Sequence, residues 1–490
     1  MSVHAHPLLA RARAFAVHRP ALLMALLIGL LLIRLETGIL TDTAASKDAL
    51  SNLTLASGLA TTGRMIESGD ELSMYREPLP IAAYALQMRI DPRIEGPTPG
   101  VFEEDGPQVR ALRQQHHLWA ALLLAGVALQ AWRLAPVRSR LLAAATSVVL
   151  VHAMFLEVVG DFTLTELHAA TSVVWAGLVA QQWVARRRWR DAALLGVILG
   201  LGALSKSSLL YVGAIFVLVL AVLLIVRDGA ALRRTLATAG LALVGLALVV
   251  LPWMARNAVE FDTWAIADRG GLSLWYRAYY QEATPAELRG SWFEFTPLPL
   301  RPITGALLGI VEDDLDGPLR RVNHAHPDED VEQQSFYQLA RTDRLEGTEA
   351  YLADGVPTRA LARVKADQDL LREGIDVLRQ DPWLFISTTP MFLWRGLWVV
   401  KEAPLIPKVI LGILNPLGMA ALLVAGAVAV ARARPGRFAV IGLPLGVVAF
   451  NSLLTLSVSR YNEPALPTML ILLIIAAARI LEWRGRPRER

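Results

Sequence analysis

The sequence has no cysteine, so a disulfide framework, a thiol nucleophile and a Cys-ligated metal site are all excluded. It carries no Walker phosphate loop, no GxSxG elbow and no HExxH helix. Charge is scarce too, at 19% of 490 residues, against about 25% in a soluble domain. Hydrophobic residues make up 54% of the chain and the mean hydropathy is +0.42. Long apolar runs alternate with long polar stretches, which excludes one soluble globule, a disordered chain and a fibrous repeat. Nothing points to a nucleic-acid partner.

A membrane crossing needs about 20 apolar helical residues. Windows at 20–39, 117–134, 141–159, 166–184, 192–205, 207–226, 235–252, 405–431, 438–457 and 464–482 qualify or nearly so. The expected fold is therefore an all-α membrane protein of about ten transmembrane helices. The first window follows Arg11, Arg13 and Arg19 without a small-residue cleavage site, and reads as a retained anchor. Arginines gather in alternate short connections: Arg133/Arg138/Arg140, Arg186/Arg187/Arg188/Arg190, Arg227/Arg233/Arg234 and Arg432/Arg434/Arg437. The tail adds Arg484, Arg486, Arg488 and Arg490, while the opposite short connections carry only Lys206 and Arg460. The positive-inside rule then places both termini in the cytoplasm. The expected setting is a plasma (inner) membrane, crossed many times, with two long loops outside at 40–116 and 253–404. The expected organisation is an N-terminal membrane module over 1–252, a large outer loop over 253–404 and C-terminal membrane helices over 405–490.

The first outer loop predicts two amphipathic helices at the interface, one through Leu50, Leu53, Leu55 and Leu59, the other through Leu79 to Met88. Between them lie Gly69-Asp70 and the segment Tyr75-Arg76-Glu77-Pro78-Leu79-Pro80. The second outer loop is too long to be structureless. Its segment 383–400, with Trp383, Phe385, Phe392, Trp394 and Trp398, predicts an aromatic interfacial helix.

Ionisable groups beside apolar spans are functional suspects, because burying them is costly. Here they gather at the outer ends of spans: Asp48, Glu157, Asp161, Glu166, Lys206, Arg256 and Arg460 with Tyr461. Acids at that depth suit a general base or a divalent cation, and bases suit an anionic phosphate. Each has a plainer reading: Asp48 and Glu166 as helix caps, Lys206 snorkelling to headgroups, Arg256 and Arg460 on lipid phosphates. Among lesser motifs, Glu312 to Gly317 reads as a solvated acidic loop, and His324 with His326 lacks a third ligand. Gly196, Gly200 and Gly202 read as close helix packing, and the sequon Asn52-Leu53-Thr54 as accidental.

The ordered series of motifs resembles the GT-C class of polytopic glycosyltransferases, in particular the protein mannosyltransferase and aminoarabinose transferase-like branch. The resemblance rests on Asp48 opening the first loop, Gly69-Asp70, Tyr75-Arg76-Glu77-Pro78-Leu79-Pro80, Thr165-Glu166, Gly202 to Lys206, Pro252 to Asn257, and Arg460-Tyr461 through Pro464 and Pro467. It departs from the pattern at Ala49, where a second acid is common, and at Asn52 and Leu53, where an aromatic often sits. No soluble C-terminal domain is expected after the last span. The resemblance implies a sugar carried on a polyprenyl phosphate, transferred with inversion on the extracytoplasmic side to an acceptor hydroxyl of a protein, lipid or glycan. It implies Asp48 as general base; Asp161, Glu166 and Glu77 as groups orienting the acceptor; Lys206, Arg256 and Arg460 as phosphate-binding cations; and Tyr75, Arg76 and Tyr461 as lining. No cofactor is certain; Asp48, Asp161 and Glu166 are the ligands if a divalent cation is used. The rival readings are a secondary transporter, whose ionisable groups belong near the bilayer midplane, a membrane scaffold, and a lipid-linked polysaccharide ligase or polymerase.

Overall fold

The structure is a computed structural model that describes residues 20–38, 47–68, 71–96, 102, 106–156, 165–228, 232–323, 334–398 and 405–484. Helices dominate it, and among the described residues the sheet is one two-stranded hairpin. In chain order the membrane part begins with α1 (Pro20–Gly38). The first long loop then contributes α2 (Lys47–Thr62), β1 (Ile66–Ser68), β2 (Glu71–Leu72), α3 (Pro78–Ile90) and α4 (Gly106–Arg113). A run of bundle helices follows: α5 (His116–Leu134), α6 (Arg140–Val151), α7 (Glu166–Arg186), α8 (Trp189–Ser205), α9 (Ser208–Asp228) and α10 (Leu232–Phe261). The second long loop folds as α11 (Gly270–Ala278), α12 (Pro285–Glu294), α13 (Arg301–Leu308), α14 (Phe336–Ala353), α15 (Arg359–Gln380) and α16 (Pro382–Leu397). The bundle closes with α17 (Leu405–Ala431), α18 (Pro435–Leu454) and α19 (Leu466–Arg484).

Seven helical stretches among the described residues are long and apolar enough to cross a membrane: Gly106–Leu134, Val137–Leu156, Ser208–Arg227, Leu232–Phe261, Val409–Ala431, Pro435–Leu454 and Arg460–Trp483. Pro20–Leu35 is apolar but shorter. The expected windows at 166–184 and 192–205 also fold as helices, α7 and α8, but are not among the seven. α7 is buried along nearly its whole length and carries His168, Thr171 and Ser172 inside the bundle, so it has no need of a lipid-facing apolar surface. α8 has only 17 residues.

The glycines of α8 set how closely the bundle packs. A Cβ on Gly196 would lie 2.0 Å from the Ala242 carbonyl oxygen of α10, one on Gly200 2.6 Å from Val249 Cβ, and one on Gly202 3.1 Å from Ser172 Cβ of α7. Backbones approach this closely only where the side chain is a hydrogen. The close-packing reading of these glycines therefore holds. The seventh expected span stops at residue 252, but α10 continues to Phe261 with Pro252 inside it. Proline removes one backbone bond without ending the helix here, because Trp253 Nε1 donates to the Ile266 carbonyl at 3.0 Å and Asn257 Nδ2 to the Ala265 carbonyl at 2.8 Å. α6 ends in a π-turn over His152–Leu156, and the His152 Nε2 lies 2.9 Å from the Leu31 carbonyl of α1.

Both predicted helices of the first loop form and pack on each other through Leu53, Leu55, Ala56, Ile81, Tyr84, Ala85 and Met88. Pro78 and Pro80 start α3, where a missing N–H costs nothing. Asn52 is fully buried, so its sequon is closed to modification in the folded chain. The second loop has its own core of Tyr276, Tyr280, Phe293, Phe336, Met391 and Phe392. Thr284 and Glu287 form a capping box on α12, and Ser335, Thr358 and Asp381 cap α14, α15 and α16. The aromatic helix forms as α16, with Phe385 and Phe392 buried and Trp383 exposed. Met74, Phe261, Ala360 and Val364 join the two loops at the far end of α10. The two long loops thus share one end of the bundle and roof it.

Candidate active site

Under that roof the helix ends bring four separated motifs together. Lys206 is the residue that ends α8, in extended conformation, and it is 8% exposed. Its Nζ lies 3.4 Å from Glu166 Oε1 at the start of α7, 3.5 Å from the Arg460 carbonyl oxygen, and 5.0 Å from the centre of the Tyr461 ring. An ammonium ion here is compensated by a carboxylate, a carbonyl and an aromatic face at once. Glu166 is 4% exposed and its second oxygen, Oε2, makes no hydrogen bond among the described residues. A buried carboxylate oxygen in this state is a ready acceptor for a hydroxyl.

Glu77 closes the site from the first loop. Its Oε1 accepts from the Ser207 backbone N–H at 3.2 Å and from Ser207 Oγ at 3.3 Å, which ties the start of α3 to the turn after Lys206. The Arg460-Tyr461 turn is held from behind, with Asn451 Nδ2 donating to the Tyr461 carbonyl at 2.9 Å and Asn462 Nδ2 to the Gly396 carbonyl at 3.3 Å. The Arg460 guanidinium lies 5.9 Å from the Tyr461 ring centre.

On the outer side the wall is cationic and aromatic. Tyr75 has three guanidinium groups around its ring, Arg269 at 4.0 Å, Arg363 at 4.8 Å and Arg76 at 5.0 Å. Arg269 also donates to the Tyr75 hydroxyl. Burial would lower the affinity of Arg269 for its proton, but the phenol oxygens of Tyr75 and Tyr461 and the Asp268 carboxylate outweigh it and raise its pKa above the usual arginine value. Arg76 is buried, and its Nε reaches Ser51 Oγ on α2 at 3.5 Å. A second layer fixes the arginines. Arg363 pairs with Asp268 at 2.8 Å and with Glu67 at 2.7 Å. Arg344 pairs with Asp268 at 3.3 Å and Asp367 at 3.4 Å, and Asp367 accepts the backbone N–H groups of Gly271 and Leu272 at 2.9 and 3.0 Å. Burial pushes the Asp367 carboxyl up to about 6, against the pull of Arg344. Burial likewise raises Glu67, but Arg363 more than offsets it and leaves Glu67 below the ordinary glutamate value.

Arg256 stands apart. Its Nη1 donates to the Ser73 carbonyl at 3.2 Å and to Asn257 Oδ1 at 2.8 Å, and its guanidinium lies 4.8 Å from the Trp253 ring. Among the described residues no hydrogen bond or ion pair joins it to Lys206 or Glu166. It braces the strand that leads into Tyr75.

The fold has counterparts among solved structures. The oligosaccharyltransferase AglB of Archaeoglobus fulgidus, in complex with an inhibitory peptide and a dolichol-phosphate, superposes with a TM-score of 0.51 at 14% identity, covering 97% of this chain and 53% of that one. The oligosaccharyltransferase of the same organism tethered with an acceptor peptide containing an NVT sequon gives 0.51 at 13% identity, covering 96% and 50%. The fold is GT-C. ArnT from Cupriavidus metallidurans bound to undecaprenyl phosphate is also similar, at a TM-score of 0.38 and 14% identity, covering 91% of this chain and 77% of that one. No family model and no curated protein matches the chain. The chain spans about half the length of the oligosaccharyltransferase chains.

Within this GT-C fold the residues expected from sequence are partly united. Glu166, Lys206, Tyr461 and the Arg460 carbonyl meet directly, Glu77 reaches them through Ser207, and Tyr75 and Arg76 lie in the outer wall, where Arg269 is within electrostatic reach of both Tyr75 and Tyr461. Asp48 lies in the first turn of α2, one turn before the Ser51 that Arg76 holds. Its side chain lies outside the described residues, as do Glu157, Asp161, Gly69-Asp70 and the pair His324 and His326. Among the described residues no group of three or more His, Asp or Glu side chains is placed to hold a metal. Sequence reasoning missed Arg269, Arg363, Asp268, Glu67 and Ser207. Of these only Ser207, beside Lys206 in a polar break between apolar runs, carried a signal.

Proposed function

We propose that this chain is an integral-membrane glycosyltransferase that moves a sugar from a polyprenyl-phosphate donor to an acceptor hydroxyl on the extracytoplasmic side. The observation that carries this reading is the meeting of Lys206, Glu166 and Tyr461, with Glu77 bound to the adjacent Ser207, beneath the loop roof of a GT-C fold. The similar AglB structure holds a dolichol-phosphate, which supports a lipid-phosphate carrier here. In the proposed reaction Asp48 takes the proton of the acceptor hydroxyl. The hydroxyl oxygen attacks the anomeric carbon from the face opposite the phosphate, the carbon–oxygen bond to the carrier breaks, and its electron pair leaves on the polyprenyl phosphate. Inversion follows from that in-line path. Lys206 and Arg460 offset charge building on the leaving phosphate. Glu166 orients the acceptor through its open oxygen. Glu77 holds the Lys206 turn, and Tyr75, Arg76 and Tyr461 line the sugar site. Arg256 acts on this site through the Ser73 strand.

The ten-span topology, with both termini cytoplasmic and the site facing out, belongs to the same proposal. A transporter would place its charges near the bilayer midplane on broken helices, whereas Glu166 and Lys206 stand at the ends of α7 and α8. The test is sugar release from a radiolabelled polyprenyl-phosphate donor by membranes containing Asp48→Asn. A general base supplies about 10²–10⁴-fold, so a loss of that order is expected. Wild-type transfer by Asp48→Asn would remove the base from its role.

A further inference from the structure

At the opposite end of the bundle from the site, a recess of about 460 Å³ opens between the α7–α8 turn and the start of α10. It is lined by Arg187, Arg188, Trp189 and Arg190 from the turn and by Arg234, Ala237 and Thr238 from α10. Four of its seven lining residues are arginines. Arg188, Arg190 and Arg234 form no ion pair among the described residues, and Asp191, the carboxylate that follows in the chain, is joined to none of them there. A cluster of unneutralised cations around a concave surface attracts an anion, and arginine suits phosphate through its planar fork of donors.

The turn is also held in an unusual backbone state. Arg187 has φ +54, which side-chain-bearing residues avoid. Its Nε donates to the Val184 carbonyl at 3.1 Å, its Nη1 reaches the buried Thr235 Oγ1 at 3.4 Å, and Arg234 Nη2 donates to the Arg187 carbonyl at 2.9 Å. Three bonds spent on one strained residue fix the reversal that brings Arg188 and Arg190 to face Arg234. Strain retained by surrounding contacts is a pointer to function. The surroundings are apolar and open: Leu194, Val197 and Leu236, on the next turns of α8 and α10, are exposed, and so is Trp189 at the rim, whose ring lies 5.3 Å from the Arg190 guanidinium. A soluble phosphate gains nothing from such flanks, whereas a phospholipid lays its acyl chains on them. An exposed tryptophan beside cations is the usual marker of headgroup depth.

We infer that this recess is a site for the phosphate of an anionic phospholipid, separate from the transfer site. It is tested with the purified full chain in detergent micelles doped with phosphatidylglycerol or phosphatidylcholine, with retained lipid counted by native mass spectrometry. The wild type retains phosphatidylglycerol and not phosphatidylcholine. Arg188→Gln/Arg190→Gln binds it about thirtyfold more weakly, since each cation at a headgroup contributes roughly a factor of five. Arg432→Gln/Arg437→Gln removes the same charge from a neighbouring turn and binds as the wild type does. Both variants keep the wild-type unfolding temperature without lipid. Equal retention of phosphatidylcholine, or equal weakening by the two double variants, would show general attraction to charge and overturn the site. Displacement of the lipid by millimolar inorganic phosphate would assign the recess to a soluble phosphate and overturn the lipid.

Discussion

Lys206 is held by a carboxylate, a carbonyl and a ring, and the Glu166–Lys206 pair is nearly closed to water, with side chains 5% and 11% exposed. Removing one member of a buried pair leaves the other charged and alone, at a cost of about 3–5 kcal/mol. Lys206→Met is therefore expected to lower the unfolding temperature sharply in detergent. Lys206→Met/Glu166→Gln is expected to recover most of it, because no lone charge remains, while sugar transfer stays lost in both. Thermal unfolding and the transfer assay on the same preparations check this. If the double variant is no more stable than Lys206→Met, the pair is not the buried unit described here. Asp367 gives a prediction in pH. Its folded pKa of about 6 exceeds the ordinary aspartate value, so the folded chain holds more protons than the unfolded chain between about pH 4 and 6. Its contribution is full below that window and is lost as pH rises through about 6. Asp367→Asn should remove that part of the decline in unfolding temperature between about pH 4 and 6. At this scale the sequence was legible where chemistry contrasts with surroundings: Glu166, Lys206 and Tyr461 interrupt apolar runs and so stood out. Arg269 and Arg363 sit in polar loops among many arginines, and no local pattern separates the one that faces Tyr75 from one that faces water.

Elements were legible for the same reason, and their ends were not. Eight of the ten apolar windows begin and end within a few residues of helices α1, α5, α7 to α9 and α17 to α19, while the third covers α6 and its π-turn to Leu156 and ends outside the described residues. The seventh window missed the last turns of α10, because those turns are polar and are kept helical by side-chain bonds from Trp253 and Asn257 to residues 265 and 266. The glycines of α8 were legible as packing and now make a test. A Gly196→Ala methyl would sit 2.0 Å from the Ala242 carbonyl oxygen, which belongs to backbone and cannot turn aside. Overpacking of this kind costs about 1–3 kcal/mol. Gly196→Ala should lower the unfolding temperature accordingly, whereas Gly240→Ala, on α10 with nothing within 4 Å of its Cβ, should not. Equal unfolding temperatures for the two variants would show that α8 and α10 are not as close as described.

At the scale of the whole molecule, the roof depends on two loops joined by residues 296 positions apart. Arg363 of α15 holds Glu67 of the first-loop hairpin at 2.7 Å and Asp268 at 2.8 Å, and it lies over Tyr75, one residue from Arg76. The sequence gives no hint of this pairing, because a contact between residues 67 and 363 has no local signature in a single chain. The apolar cluster of Met74, Phe261, Ala360 and Val364 sits beside it and keeps the loops together when the ion pairs are cut. Glu67→Gln should therefore loosen the hairpin without unfolding the bundle. Amide exchange of residues 64–77 is expected to speed up while that of α7, α8 and α10 stays unchanged, and transfer to fall through the Tyr75 wall that the hairpin supports. A double-mutant cycle with Arg363→Gln should show coupling of about 0.5–3 kcal/mol, as for residues in one network. Arg363→Gln alone should cost more than Glu67→Gln, since it also removes one of the two arginines paired with Asp268, whose side chain is fully buried. Because Arg363 holds Glu67 ionised, wild-type exchange at 64–77 should come to match that of Glu67→Gln as pH falls below the ordinary glutamate range. Additive effects of the two substitutions, or hairpin exchange that does not change with pH in that range, would mean that the first loop docks through its apolar cluster alone.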